Sequence, residues 1–253
     1  MLKELMNLSN RNFIKSNRLI IPIIAIFSFI GIAYSVGPQK ILPSLMIQAI
    51  FVFFLMVIIA VSYCDVENEV LQQILSLKLR PDKKYYLYIS KILVLAKILL
   101  VISLIQAAYP ILRYYLRFNT LFDRRPVLSD GILSFLVAFL FGYLGMMIGL
   151  ILNPQRIRER KLQISVVILV AILAIVQINI AEDITVLRYV LWILPPLGKI
   201  SNVINNHEYF TIDSIWVLLQ GLAYCVIYTV FYLVEMLWSE RFTKVRRISY
   251  NKH

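Results

Sequence analysis

Apolar residues in this chain come in long runs, and the polar residues are gathered between them. Runs with few or no charges fall at about 19–36, 41–63, 86–110, 131–152, 162–181 and 212–238. Each is close to the length of helix that crosses a ~30 Å hydrocarbon core at 1.5 Å per residue. The short segments of alternating character that a β-barrel requires are absent. The pattern therefore predicts an all-α polytopic membrane protein with six transmembrane helices in a single domain, 1–253. Two weaker apolar patterns flank this set. In 1–17, Leu2, Leu5, Met6 and Phe13 share a helical face, while Lys3, Glu4, Asn7, Arg11 and Lys15 lie mostly elsewhere. That spacing predicts an interfacial amphipathic helix lying on the membrane. Residues 186–198 are apolar but too short to cross, and Pro195-Pro196 breaks them. They are expected to form a re-entrant segment before the last span.

Punctuation and charge refine this picture. Pro22 falls in the first turn of its helix, where proline is tolerated, and Gly37-Pro38 marks a turn. Lys91 and Lys97 lie near the start of the third span, so their stems are expected to snorkel back to the headgroups. The first long run follows a charged segment with no small-residue cleavage pattern, so it is expected to remain as the first span. Of the 26 Lys and Arg in the 253 residues, 19 fall on one side of the predicted topology. They comprise Lys3, Arg11, Lys15 and Arg18, six from Lys78 to Lys97, four in the 156–161 loop and five in the basic tail 239–253. The remaining 7 are Lys40, Arg113, Arg117, Arg124, Arg125, Arg188 and Lys199. This asymmetry places both termini in the cytoplasm. The Arg113–Arg125 cluster runs against the trend: it either attracts an anion at the outer face or is ordinary headgroup-facing charge.

The composition agrees: 60% of residues are hydrophobic and the mean hydropathy is +0.77, against roughly 45–50% apolar in soluble domains. The net charge of +12 would raise the question of nucleic acid in a soluble protein. Here the basic residues flank apolar runs, so membrane lipid is the expected partner and nucleic acid is not. Cys64 and Cys225 have no metal-site or disulfide spacing and read as small packing residues. No metal site and no catalytic residue is expected. Zinc-protease, serine-hydrolase and phosphate-loop motifs are all missing, and the only histidines, His207 and His253, lie in a loop and at the tail.

Polar groups within the spans are costly and so worth naming. Gln48, Gln106, Gln177, Asn179 and Gln220 either bond between helices or line a polar path, and Glu235 lies at a depth where it could pair with Lys97. Gly142, Gly145 and Gly149 share one face of the fourth span, a spacing that lets helices pack closely, in the same chain or another. Segment 64–84 is the most informative polar piece. Asp65 is a candidate helix N-cap, Glu67 and Glu69 fall in the first turn, Lys78 and Arg80 in the last, and Pro81 ends it. Each charge matches the helix dipole. Val70, Leu71, Ile74 and Leu77 supply an apolar face, suited to a partner's groove or to the membrane surface.

The arrangement as a whole resembles the permease subunit of type-2 ABC exporters, the ABC-2 family. The resemblance spans nearly the whole chain and is most specific from Glu67 to Lys91. It implies that 64–80 is a coupling helix (Glu67, Val70, Leu71, Ile74, Leu77, Lys78 and Arg80) docking into separate ATP-binding cassette subunits. ATP and Mg would sit on those partners, and this chain would carry no cofactor and no enzymatic activity of its own. Six spans imply a second permease chain, identical or paralogous, in a bacterial cytoplasmic membrane. The expected cargo is a peptide such as a bacteriocin or another amphipathic substrate, with lipid, drug or glycan nearly as compatible. A non-transporting membrane scaffold or immunity protein is the alternative.

Overall fold

The first helix, α1 (Leu2–Lys15), ends because Asn17 adopts a left-handed conformation (φ 57°), which asparagine tolerates better than most residues. Ser16 Oγ donates to Phe13 O at 2.6 Å, and the chain re-enters a helix at α2 (Ile20–Ala33) after a bend of 73°. The structure is a computed structural model and describes residues 2–66, 85–116, 121–152, 159–183, 191–207, 209 and 211–250. Its remaining helices are α3 (Ile41–Val66), α4 (Tyr85–Leu116), α5 (Leu128–Ile151), α6 (Arg160–Asp183), α7 (Leu197–Asn205) and α8 (Ile212–Tyr250). Among the described residues the only strand-like pairing is an isolated bridge between Gln39 and Phe122.

Five helices, α3, α4, α5, α6 and α8, are long and apolar enough to cross a membrane. Helices α1 and α2 meet the same test only as a bent pair. Alone, the 14 residues of α2 rise about 21 Å. The run at 19–36 is thus only partly helical: Gln39 Nε2 donates to Ala33 O and Val36 O, both at 2.7 Å. Large apolar side chains such as Ile21, Phe27, Ile32, Trp216 and Phe231 are exposed around the bundle, far more than a soluble monomer shows to water. Their extent marks a membrane protein.

Helix α5 lies at the centre, between α3 and α4, with α8 on a further side. Close approach of α3 and α5 depends on glycine. A Cβ on Gly145 would run into Phe53 O, and one on Gly149 would stand 2.7 Å from Ala60 Cβ and 2.8 Å from Val57 O. Gly145 and Gly149 therefore meet α3 of the same chain, an assignment the spacing leaves open, while a Cβ on Gly142 would strike Leu99 of α4 as well as Val52 of α3. Dispersion over these interlocked surfaces replaces the missing hydrophobic drive. Packing is uneven: in the most apolar window of each helix, 61% of α3 and 67% of α5 are buried, against 22% of α6 and 28% of α8.

Polar contacts fasten both ends. At one, Arg18 pairs with Asp65 at 3.0 Å, Ser9 hydrogen-bonds Tyr63, and the Phe13 ring meets Tyr63 edge-on. Asp65 therefore lies in the last turn of α3, not at the N-cap of a following helix. Its carboxylate is drawn to Arg18 beneath α1, a partner that local sequence does not reveal. At the other end, Gln39 N–H donates to Leu121 O (2.9 Å) and Asp123 N–H to Gln39 O (3.2 Å), joining the α2–α3 turn to the loop before α5.

Candidate functional site

A cavity of about 1140 Å³ opens between the C-terminal end of α5, helix α6, residues 192–199 and helix α8. It exists because α7 acts as a spacer. Pro195 and Pro196 are buried and stop regular structure before α7, and proline in this position removes the N–H that would continue a helix backward. Gly198 then lets α7 approach so closely that a Cβ there would strike Ile175 O of α6. Leu197, Ile200 and Ile204 are buried on the side of α7 that packs among α6, α8 and α3. Helices α6 and α8 are held by α7 rather than by each other, and the gap beside it is the cavity.

The irregular stretch before α7 leaves the carbonyls of Trp192 and Ile193 outside regular helix bonding. Two tyrosines of α8 supply their partners: Tyr224 Oη donates to Trp192 O at 2.9 Å, and Tyr228 Oη to Ile193 O at 2.8 Å. A bond between Tyr143 Oη and Thr229 Oγ1 (2.9 Å) fixes α8 to α5. The walls are chiefly apolar, including Ile148, Val170, Ile178, Ile227 and Phe231. Polar groups are few. Lys199 Nζ donates to Gln220 Oε1 at 3.2 Å, and Gln177 Oε1 is a buried acceptor without a hydrogen bond. Among the described residues of the lining, Lys199 is the one that carries a charge.

The other singled-out residues lie elsewhere. Glu67, Val70, Leu71, Ile74, Leu77, Lys78 and Arg80 lie outside the described residues, as do Arg117, Arg156 and Arg158. Within the Arg113–Arg125 cluster, Arg124 is committed to structure. It grips Asp130 with both terminal nitrogens (2.8 and 3.0 Å), and its guanidinium lies 4.4 Å from the Tyr209 ring centroid. Asp130 also accepts the Val127 N–H at 2.9 Å, capping α5, while Arg125 stays exposed. Of the two span-three lysines expected to snorkel, Lys97 is exposed and Lys91 is buried. Lys91 is 2% exposed and lies 5.7 Å from the Tyr88 centroid. Tyr88 meets Tyr232 of α8 edge-on, one turn before Glu235. Both cysteines are buried and outside any disulfide. Among the described residues, no group of three or more His, Cys, Asp or Glu could hold a metal ion.

Sequence reasoning flagged Gln177, Gln220 and the proline pair one by one, and Lys199 only as a unit of charge. It missed α7, although Leu197, Ile200 and Ile204 recur at helical spacing. Tyr224 and Tyr228, four apart on α8, were a visible aromatic pair with no visible partner. No protein-family model, no curated protein and no solved structure matches this chain.

Proposed function

We propose that this protein is the membrane-spanning permease subunit of an ATP-driven ABC exporter. It moves an amphipathic substrate, a bacteriocin-like peptide or a lipid, out of the membrane or cytoplasm. In this reading α2, α3, α4, α5, α6 and α8 are the six spans, both termini are cytoplasmic, and α1 lies along the inner surface of a bacterial cytoplasmic membrane. The observation that carries it is the division of the bundle into two parts. Helices α3 and α5 are tightly packed, while α6 and α8 enclose a long cavity and leave much of their apolar surface uncovered. A transport half needs both a path and a face for a second permease chain, identical or paralogous. Segment 64–80 joins α3 to α4 at the Arg18–Asp65 end and supplies the docking helix for the ATP-binding partner, which holds ATP and Mg.

The test is co-purification of the ATPase with wild type and with Ile74→Asp, which puts a charge on the apolar docking face. Loss of both association and ATP-dependent export is expected. If both survive, the docking assignment is wrong. If wild type holds its partner but exports nothing with ATP present, a non-transporting scaffold replaces the permease.

A further inference from the structure

We infer that the cavity between α6 and α8 takes an anionic membrane lipid, with its headgroup on Lys199 and an acyl chain running along α8 toward Phe231. Charge is the first reason. The Lys199 ammonium has three donors, of which one is used by the neutral Gln220 amide, and the described residues of the lining include no acid to balance it. An anion at that end completes the site. Shape is the second. Gln220 and Phe231 both line the cavity, and the helix between them rises roughly 16 Å, so the space is long and has its polar end at Lys199.

The remaining walls decide the class of ligand. The Tyr224 and Tyr228 hydroxyls are already spent on Trp192 O and Ile193 O, so these residues offer ring faces instead of donors. Beyond Lys199 and Gln220, Gln177 is the polar side chain with an unused group among the described residues of the lining. A peptide entering would strand its own N–H and C=O groups, each at considerable cost, whereas a hydrocarbon chain has none to satisfy. Access is lateral: Trp192 (74%), Ile227 (58%) and Phe231 (55%) are exposed at the rim, on the same apolar surface that faces the bilayer. The inference deepens the exporter reading by naming its cargo, and rests on that reading only for the claim that the lipid is moved.

The experiment uses the full-length protein in nanodiscs containing phosphatidylglycerol or phosphatidylcholine with a photoreactive acyl chain. Labelling is expected to concentrate on α8 around Ile227 and Phe231, with a preference for the anionic lipid. Lys199→Gln should lower anionic labelling about tenfold, the scale of a lost charged hydrogen bond, and leave zwitterionic labelling unchanged. Ala223→Trp, which fills the cavity from an exposed position, should block both. Labelling spread evenly over α2 and α8, or insensitive to Lys199→Gln, would make Lys199 an ordinary headgroup anchor and overturn the proposal. So would displacement of the probe by a cationic peptide with equal effect in wild type and Lys199→Gln. Selective labelling without ATP-dependent lipid movement would leave the site standing and remove the claim that the lipid is the cargo. The exporter reading itself falls only where wild type lacks ATPase association or ATP-dependent export.

Discussion

Replacing Gly145 with alanine tests whether backbone contact between α3 and α5 holds the bundle together. The new Cβ would overlap Phe53 O and stand 3.1 Å from both Phe53 C and Phe53 Cδ2. Phe53 O belongs to helix backbone and cannot swing aside, so the helices must part locally by roughly 1 Å. A gap of that size forfeits about a quarter to a half of each dispersion contact, worth ~0.1–0.2 kcal/mol apiece. Overpacked cores lose about 1–3 kcal/mol in all. Better helix propensity returns up to ~1 kcal/mol, leaving a net loss of about 1–2 kcal/mol. Gly31 of α2 is the internal control: a Cβ there meets nothing within 4 Å, so Gly31→Ala keeps the propensity gain alone. The two variants should differ by about 2–3 kcal/mol, or roughly 4–12 °C in apparent Tm for a chain of this size. Thermal unfolding of detergent-purified protein, followed by size-exclusion profile, measures the difference. Gly149→Ala should fall between them, because part of its clash is with the Ala60 methyl. Equal melting of Gly145→Ala and Gly31→Ala would refute the close-packing account.

The Arg124–Asp130 pair gives a second outcome. Arg124→Ala strands a carboxylate that is 4% exposed and should cost about 2–4 kcal/mol. Removing both groups with Arg124→Leu and Asp130→Leu should cost less than Arg124→Ala alone, and a greater loss in the double variant would contradict this. Tyr224→Phe combined with Tyr228→Phe frees two backbone carbonyls and should loosen 192–194, read as faster proteolysis there, with α3 and α5 unaffected. Lys91→Ala should lower Tm more than Lys97→Ala, because only Lys91 is buried. For orientation, a cysteine introduced by Ser249→Cys should resist impermeant thiol reagents in intact cells; efficient labelling would reverse the topology drawn from the charge count.

The long apolar helices were legible because each span satisfies its own backbone and meets hydrocarbon with its own side chains. Length and composition of a local segment are enough for that. Helix α1, the close-packing glycines of α5 and the break at Pro195-Pro196 were legible for the same reason, since periodicity and proline act within a few residues. The end of α2 was not, because Gln39 reaches back from beyond the turn to cap Ala33 O. Nor was the role of Asp65, whose partner Arg18 lies 47 positions away.

The candidate site belongs to the same second group. Lys199 and Gln220 are unremarkable on their own helices and become a polar cap only when α7 is laid against α8. Tyr224 and Tyr228 acquire a purpose from two carbonyls more than 30 positions earlier. The sequence by itself determined that this chain is a bundle of apolar helices, and where most of them begin and end. Only the tertiary structure decided that α5 is the axis, that Gly145 and Gly149 face α3 of the same chain, and that α7 holds α6 away from α8. A helix is encoded by neighbours one turn apart, but a cavity is what remains between helices, and its walls come from four segments that meet only after packing.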